Sequence, residues 1–138
     1  MDQILGVDYG TTRVGLAVSS PEGSYALPLD TLTVPARARA AAVAECAKNR
    51  DIKLIVVGRP IRSAGEDSAL WPTIAKFAEA LRHRGFEVEF ENEAYTTAEA
   101  ESLLREAGTP SSRSRGPADA VAAKLIVESY LRRRNEPE

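Results

Sequence analysis

The stretch Ile4–Val18, I-L-G-V-D-Y-G-T-T-R-V-G-L-A-V, constrains the chain more than any other. Two short apolar runs, Ile4–Val7 and Val14–Val18, flank a tight polar turn that contains Gly10. That is the pattern of a β-hairpin with a loop longer than two residues. Asp8 closes the first run. A carboxylate at the end of a buried strand is costly to desolvate unless something pairs with it. A cation, a metal or a phosphate-bound metal would do so, and so would loop amides or the hydroxyls of Thr11 and Thr12. An acid that ends a nearly all-apolar strand before a glycine-containing turn is more often part of a site than a chance polar residue.

The hairpin has a sequence-encoded asymmetry. Alternation places Val14, Leu16 and Val18 on one face of the second strand and Gly15 and Ala17 on the other. On the first strand Gly6 shares a face with Asp8. One side of the hairpin therefore carries large residues, and the other is small enough for a helix to come close.

The remaining segments follow in order. Strands are expected at 3–8, 13–19 and 25–32, the third interrupted by Pro28 and so placed at an edge. A helix opens at Pro35 and runs to about Lys48, with Ala40, Val43, Ala44 and Ala47 inward and Asn49 as a left-handed cap. Ile52–Val57 reads as a central parallel strand, ending at Gly58-Arg59-Pro60. Arg62–Ser68 reads as a loop, and Trp71–Arg84 as a helix stopped by Gly85. Phe86–Phe90 alternates with Glu87, Glu89 and Glu91, an acidic strand with a solvated face. Thr96 and Glu99 form a capping box for a helix to Ala107, and Gly108–Gly116 is a Ser/Arg/Gly/Pro loop. Pro117 suits the first turn of a last helix to about Arg134. This order predicts a single α/β domain over residues 1–138, with a mixed five-stranded sheet: three antiparallel strands, then parallel crossovers.

Composition excludes several classes. No apolar run approaches membrane-spanning length, and no signal peptide precedes the first strand. The single Cys46 cannot form an internal disulfide, which fits a reducing cytoplasm. A net charge of −2 gives no global signature for nucleic acid. Locally, however, Arg113, Arg115, Lys124, Arg132, Arg133 and Arg134 outweigh Asp119 and Glu128 between residues 111 and 134.

Asp8, Glu93 and Asp119 each lie at an element boundary. In a sheet with parallel crossovers, the strand ends that carry the first two gather on one rim. Asp119 lies three, four and seven residues before Ala122, Ala123 and Ile126, a small-residue helical face that can approach Gly6, Gly15 and Ala17. Three converging carboxylates repel one another unless hard divalent ions such as Mg²⁺ or Mn²⁺ lie among them. Two such ions about 4 Å apart are suited to phosphodiester hydrolysis. Each acid also has a bland reading: dipole partner for Asp119, and a solvated acid for Glu93. Alternation groups Glu93 with Glu87, Glu89 and Glu91, so a site role requires it to lie just past the strand's end. Arg13, Arg59, Arg62, Arg113 and Arg115 fall in loops or at the rim, where arginine suits phosphate. Trp71 reads as a staple of its helix start, a stacking platform for a base, or part of a homodimer interface.

Four motifs in order give a resemblance. Leu5-Gly6-Val7-Asp8-Tyr9-Gly10 with Arg13-Val14-Gly15 and Ala17, Ile55–Pro60, Asn92–Thr97, and Asp119–Ala123 with Leu125-Ile126 are similar to the motifs of the YqgF/RuvX family. Members of that family are described as Holliday junction resolvases or pre-16S rRNA nucleases. The resemblance implies an RNase H-like fold, Asp8, Glu93 and Asp119 as metal-binding catalytic acids, and branched DNA or precursor rRNA as partner. Asn92, Ala94 and Ser20 depart from the family's usual Asp, Arg and Asp; none of the implied metal ligands is lost, and substrate preference is the property affected. Asp8–Thr12 also looks like the first phosphate loop of actin-like sugar kinases, but a second lobe and a second glycine-rich loop are missing. A non-catalytic binding module, with the acids vestigial, is the third reading.

Overall fold

The computed structural model describes residues 2–60, 69–92 and 115–135, and for 115–119 the backbone alone. The strands are β1 (Ile4–Tyr9), β2 (Val14–Ser19), β3 (Ala26–Leu32), β4 (Leu54–Arg59) and β5 (Glu87–Asn92). The helices are α1 (Ala36–Asn49), α2 (Trp71–His83) and α3 (Arg115–Asn135). The predicted helix from Thr96 to Ala107, the Arg62–Ser68 loop and most of the Gly108–Gly116 loop lie outside the described residues.

The strands form one sheet in the order β3-β2-β1-β4-β5. β1, β2 and β3 pair antiparallel; β4 pairs parallel with both β1 and β5. This is the mixed sheet that the sequence predicts. β3 is an edge, and its register shifts between Gly15 and Ala17 of its neighbour, close to where Pro28 pairs with Ala17. A proline lacks the N–H that a continuous ladder would need.

Alternation then divides the core into two layers. Leu5, Val7, Tyr9, Val14, Leu16, Val18, Ile55 and Val57 pack with Val43, Ala44 and Ala47 of α1 and Ile74, Phe77, Ala78 and Leu81 of α2. Ile4, Ala17, Ala26 and Val56 pack on the other face with Ala123, Ile126, Val127, Tyr130 and Leu131 of α3. The small-residue side of the hairpin is thus the α3 side, as expected. The approach is close: a Cβ on Gly6 would lie 3.0 Å from the Ala123 carbonyl oxygen and would collide with Val127 Cγ2.

Two local expectations are corrected. The left-handed residue after α1 is Asp51, with φ 58°, and Asn49 stays helical. Arg50 and Asp51 instead donate their N–H groups to Ala47 and Lys48 carbonyls, so the chain continues the helical turn before reversing. The acids of β5 are not a freely solvated row either. Glu91 is buried, and Glu89 accepts a hydrogen bond from the Tyr130 hydroxyl at 2.7 Å. The apolar residues of β5, Val88 and Phe90, belong to the α2 layer, so its acids fall on the α3 side.

Candidate active site

Strand register brings several of the predicted residues to one rim. The last β1–β4 pair is Val7 with Val57, so Asp8 and Arg59 both lie where these parallel strands end. Arg59 pairs with Asn92, the residue immediately before Glu93 in sequence. Asp8 is opposite Gly15, and Tyr9 opposite Val14, so Arg13 also stands at this rim. Strand carboxyl ends in such sheets are the usual place for ligands.

Faces matter as much as ends. Gly6 meets α3, so Asp8, two residues on, takes the α3 face as well. Asp8 is half-buried there. The next residue of β4 in its row is Gly58, which pairs with Glu91 of β5. β4 itself therefore puts no side chain between Asp8 and Glu91, whose strands lie roughly 10 Å apart at ordinary spacing.

Glu91 is engaged by α3. One carboxylate oxygen accepts from Arg133 Nε at 3.0 Å and Nη2 at 2.7 Å, and the other accepts from Ser129 Oγ at 2.7 Å. The paired carboxylate raises the Arg133 pKa by hydrogen bond and charge. Burial, and then the bond to Glu89, pushes the Tyr130 hydroxyl up to about 12. These contacts tie β5 to the last helix. The acids of the strand are visible in the sequence; their partners are not, because Ser129, Tyr130 and Arg133 lie some forty positions away.

The loop after Asp8 is also held. Gly10 N–H donates to the Arg13 carbonyl at 2.8 Å, and a Cβ on Gly10 would lie 2.7 Å from that same oxygen. Arg39 of α1, only 3% exposed, donates from Nη1 to the Gly10 carbonyl at 2.7 Å and from Nη2 to the Thr11 carbonyl at 3.2 Å. Its guanidinium lies 4.6 Å from the centroid of the Tyr9 ring, which meets Phe77 of α2 edge-on. Sequence reasoning missed Arg39. The available signal is its spacing of four and eight from the buried Val43 and Ala47, which its charge obscures.

At the far side of the rim, Arg59 stacks on the Trp71 ring at 4.4 Å, and Trp71 meets Phe90 edge-on. Trp71 is thus a staple of the α2 start, with Arg59 as its cover. Ser20, where the resembled family usually has an acid, is buried; its hydroxyl accepts from the Ser24 and Tyr25 amides at 3.1 and 3.2 Å and shapes the β2–β3 turn. Glu93, Arg62 and Arg113 lie outside the described residues, and Arg115 and Asp119 are placed by backbone alone, the latter in the first turns of α3. Among the described residues no group of three or more His, Cys, Asp or Glu is arranged to hold a metal, and no helix is long and apolar enough to cross a membrane.

Known proteins share both the sequence and the fold. The model of the RuvX family, described as Holliday junction resolvase, matches residues 2–133. A protein of Endomicrobium trichonymphae that bears the name of a pre-16S rRNA nuclease is 36% identical, covering 95% of this chain and 96% of its own. One from Koribacter versatilis with the same name is 38% identical, covering 96% and 88%. Among solved structures, T. thermophilus RuvC in complex with Holliday junction substrate superposes with a TM-score of 0.62 at 19% identity over 98% of each chain. The large terminase nuclease of phage G20c superposes at 0.54, with 13% identity, over 90% of this chain and 81% of that one. The sheet order and these superpositions identify the RNase H-like fold. With a family model spanning 2–133 and relatives of this identity along nearly its full length, the chain belongs to the RuvX family.

Proposed function

We propose that this RuvX-family nuclease hydrolyses phosphodiester bonds in structured nucleic acid, branched DNA or precursor rRNA, with Asp8, Glu93 and Asp119 as its metal-binding catalytic acids. The observation that carries the reading is the place of Asp8: the end of the central strand, half-buried, on the face that α3 covers. Two further observations support it. Both carboxylate oxygens of Glu91 are engaged by α3, which leaves Glu93, two positions later in sequence, as the candidate acid after β5. Glu89 and Glu91 share the face of Asp8, so the acidic face of β5 is the face on which the site is proposed.

The donor set fits hard divalent ions, Mg²⁺ or Mn²⁺, because it offers carboxylate oxygens and neither histidine nor thiolate. Bound in pairs, such ions supply an activated water and stabilise the leaving oxygen. The protein's part is to fix the acids on rigid elements and to hold the phosphate backbone. Arg13, Arg59, Arg62, Arg113 and Arg115 are the proposed phosphate contacts. A homodimer in the cytoplasm is the proposed state, since a two-fold pair of sites matches a branched substrate with two-fold symmetry.

The actin-like kinase reading falls away, because the RuvX match accounts for residues 2–133, including the Asp8–Thr12 loop that suggests it. The test is cleavage by purified protein of labelled four-way junctions, single-stranded DNA and precursor 16S RNA with each metal. Asp8→Asn removes a charged ligand at nearly constant shape and is expected to abolish divalent-dependent cleavage while the fold persists. Full activity in a folded Asp8→Asn protein would reject the acid assignment. Metal-independent binding with no cleavage of any substrate by the parent protein would favour the non-catalytic module.

A further inference from the structure

Arg39 is a buried cation that serves the loop following Asp8. Desolvating a guanidinium is expensive, and only hydrogen bonds and favourable electrostatics offset that cost. Here the compensation comes from two main-chain carbonyls, Gly10 and Thr11, and from the face of Tyr9. Arg39 Nε is buried without a hydrogen-bond partner among the described residues, so the group is oriented for the loop at some cost to its own solvation.

The contacts are arranged around Asp8 without touching it. Tyr9 points into the α1/α2 layer, where Phe77 and Arg39 hold its ring. Asp8 points to the opposite, α3 side. Beyond Tyr9 the chain turns through Gly10, whose amide is taken by Arg13 and whose carbonyl is taken by Arg39. The segment 9–11 is thereby fixed at successive points from the face that lies away from the Asp8 side chain. A forked donor is needed because two carbonyls from adjacent residues must be bound at once; a lysine ammonium has no such planar fork.

We propose that Arg39 is a positioning residue: through the Gly10–Thr11 main chain it fixes Asp8 for divalent-metal binding from the opposite side of the sheet. This rests on Asp8 being a metal ligand, as proposed above. Outer groups that orient a ligand typically change metal affinity about 10–100-fold when removed.

The test uses the whole chain and Mn²⁺ itself. Arg39→Met keeps length but removes both donors. Arg39→Lys keeps the charge and remains informative if the Met variant does not fold. Val43→Ala, one turn further along α1 on the same buried face, destabilises the core while leaving both hydrogen bonds from Arg39 to the loop in place. Metal-free protein is assayed first, by amide hydrogen exchange at Gly10. Exchange there is expected to accelerate at least ~10-fold more in Arg39→Met than in Val43→Ala, with Arg39→Lys between. Direct Mn²⁺ binding, by electron paramagnetic resonance, is then expected to weaken ~10-fold in Arg39→Met and not in Val43→Ala. Equal exchange and equal Mn²⁺ affinity in the Arg39 variants and Val43→Ala overturns the inference while leaving the acid assignment standing. Unchanged Mn²⁺ binding in Asp8→Asn overturns both, and Gly10 exchange then reports only that Arg39 holds a loop.

Discussion

Gly6 sets the distance between the sheet and α3, because the Val127 side chain and the Ala123 carbonyl occupy the space a Cβ would need. Gly6→Ala should therefore cost about 1–3 kcal/mol by overpacking. Val127→Ala should recover part of that loss in the double variant, since it vacates the same space; denaturant melts of the two single variants and the double one measure the coupling. Simple additivity would show that the strain is relieved elsewhere. At this scale the sequence is informative where geometry forces a residue type. Gly10 and Gly85 are legible as turn residues, and Gly85 does adopt φ 95°. It is uninformative where the partner is distant. Nothing local marks Arg39 as buried, since its acceptors are carbonyls about thirty positions away. Asp51 in place of Asn49 shows a related limit, because either residue tolerates a left-handed conformation and the helix length decides which one receives it.

Among the elements, β5 is the informative case. Its alternation is plain in the sequence, but periodicity reports that two faces differ and not which face another element covers. α3 covers the acidic one, through Ser129, Tyr130 and Arg133. That contact makes stability depend on pH. Burial and the bond to Glu89 hold the Tyr130 hydroxyl near 12, above the ordinary value of 10. The unfolded chain therefore loses this proton first, so the native state binds more protons between about pH 10 and 12 and stability falls as pH rises through that window. Below pH 10 the contribution is fully present. Tyr130→Phe should remove this part of the alkaline decline, seen as a smaller difference between melts at about pH 9 and about pH 11 than the parent shows. An identical decline in both proteins would assign the loss to other groups. Arg133 is largely exposed, so its pair with Glu91 is screened by water; Arg133→Met should act mainly by freeing the β5 end.

Across the whole molecule, the sheet separates two tasks. α1 and α2 build the larger apolar layer, and among the described residues α3 is the helix that covers the face of Asp8. Ala122 and Ala123 are buried there, as their spacing implies. Ala123→Leu should lift the N-terminal half of α3 from Gly6 and lower cleavage about a hundredfold, the scale of a displacement of roughly 1 Å, with a smaller effect on stability. Arg132→Leu, on the exposed side, is the control; Glu128 is unsuitable because it accepts the Ala26 N–H at 3.3 Å. Normal cleavage by a folded Ala123→Leu protein would mean that α3 does not deliver Asp119. Replacing Arg113 and Arg115 by alanine should weaken binding across sequences and lower the salt slope by about one unit for each phosphate no longer neutralised; an unaltered slope would remove them from the interface. The architecture is legible in the sequence because hairpin asymmetry, crossover order and small-residue spacing all describe the same layers. The proposed acid set is less so, since periodicity places Asp8, Glu93 and Asp119 at element boundaries and only packing decides whether such boundaries meet. The Gly6–Val127 contact also joins positions more than a hundred residues apart. Such closures come late in folding and cost more the longer the intervening chain. As the chain leaves the ribosome, the five strands emerge before α3, with Ile4, Ala17 and Val56 lacking their α3 partners until the helix arrives. Shielding of that face and arrival of the last proposed acid are thus one event, so a nascent chain on the ribosome would be sticky and inactive together, and would lose both properties in a single step.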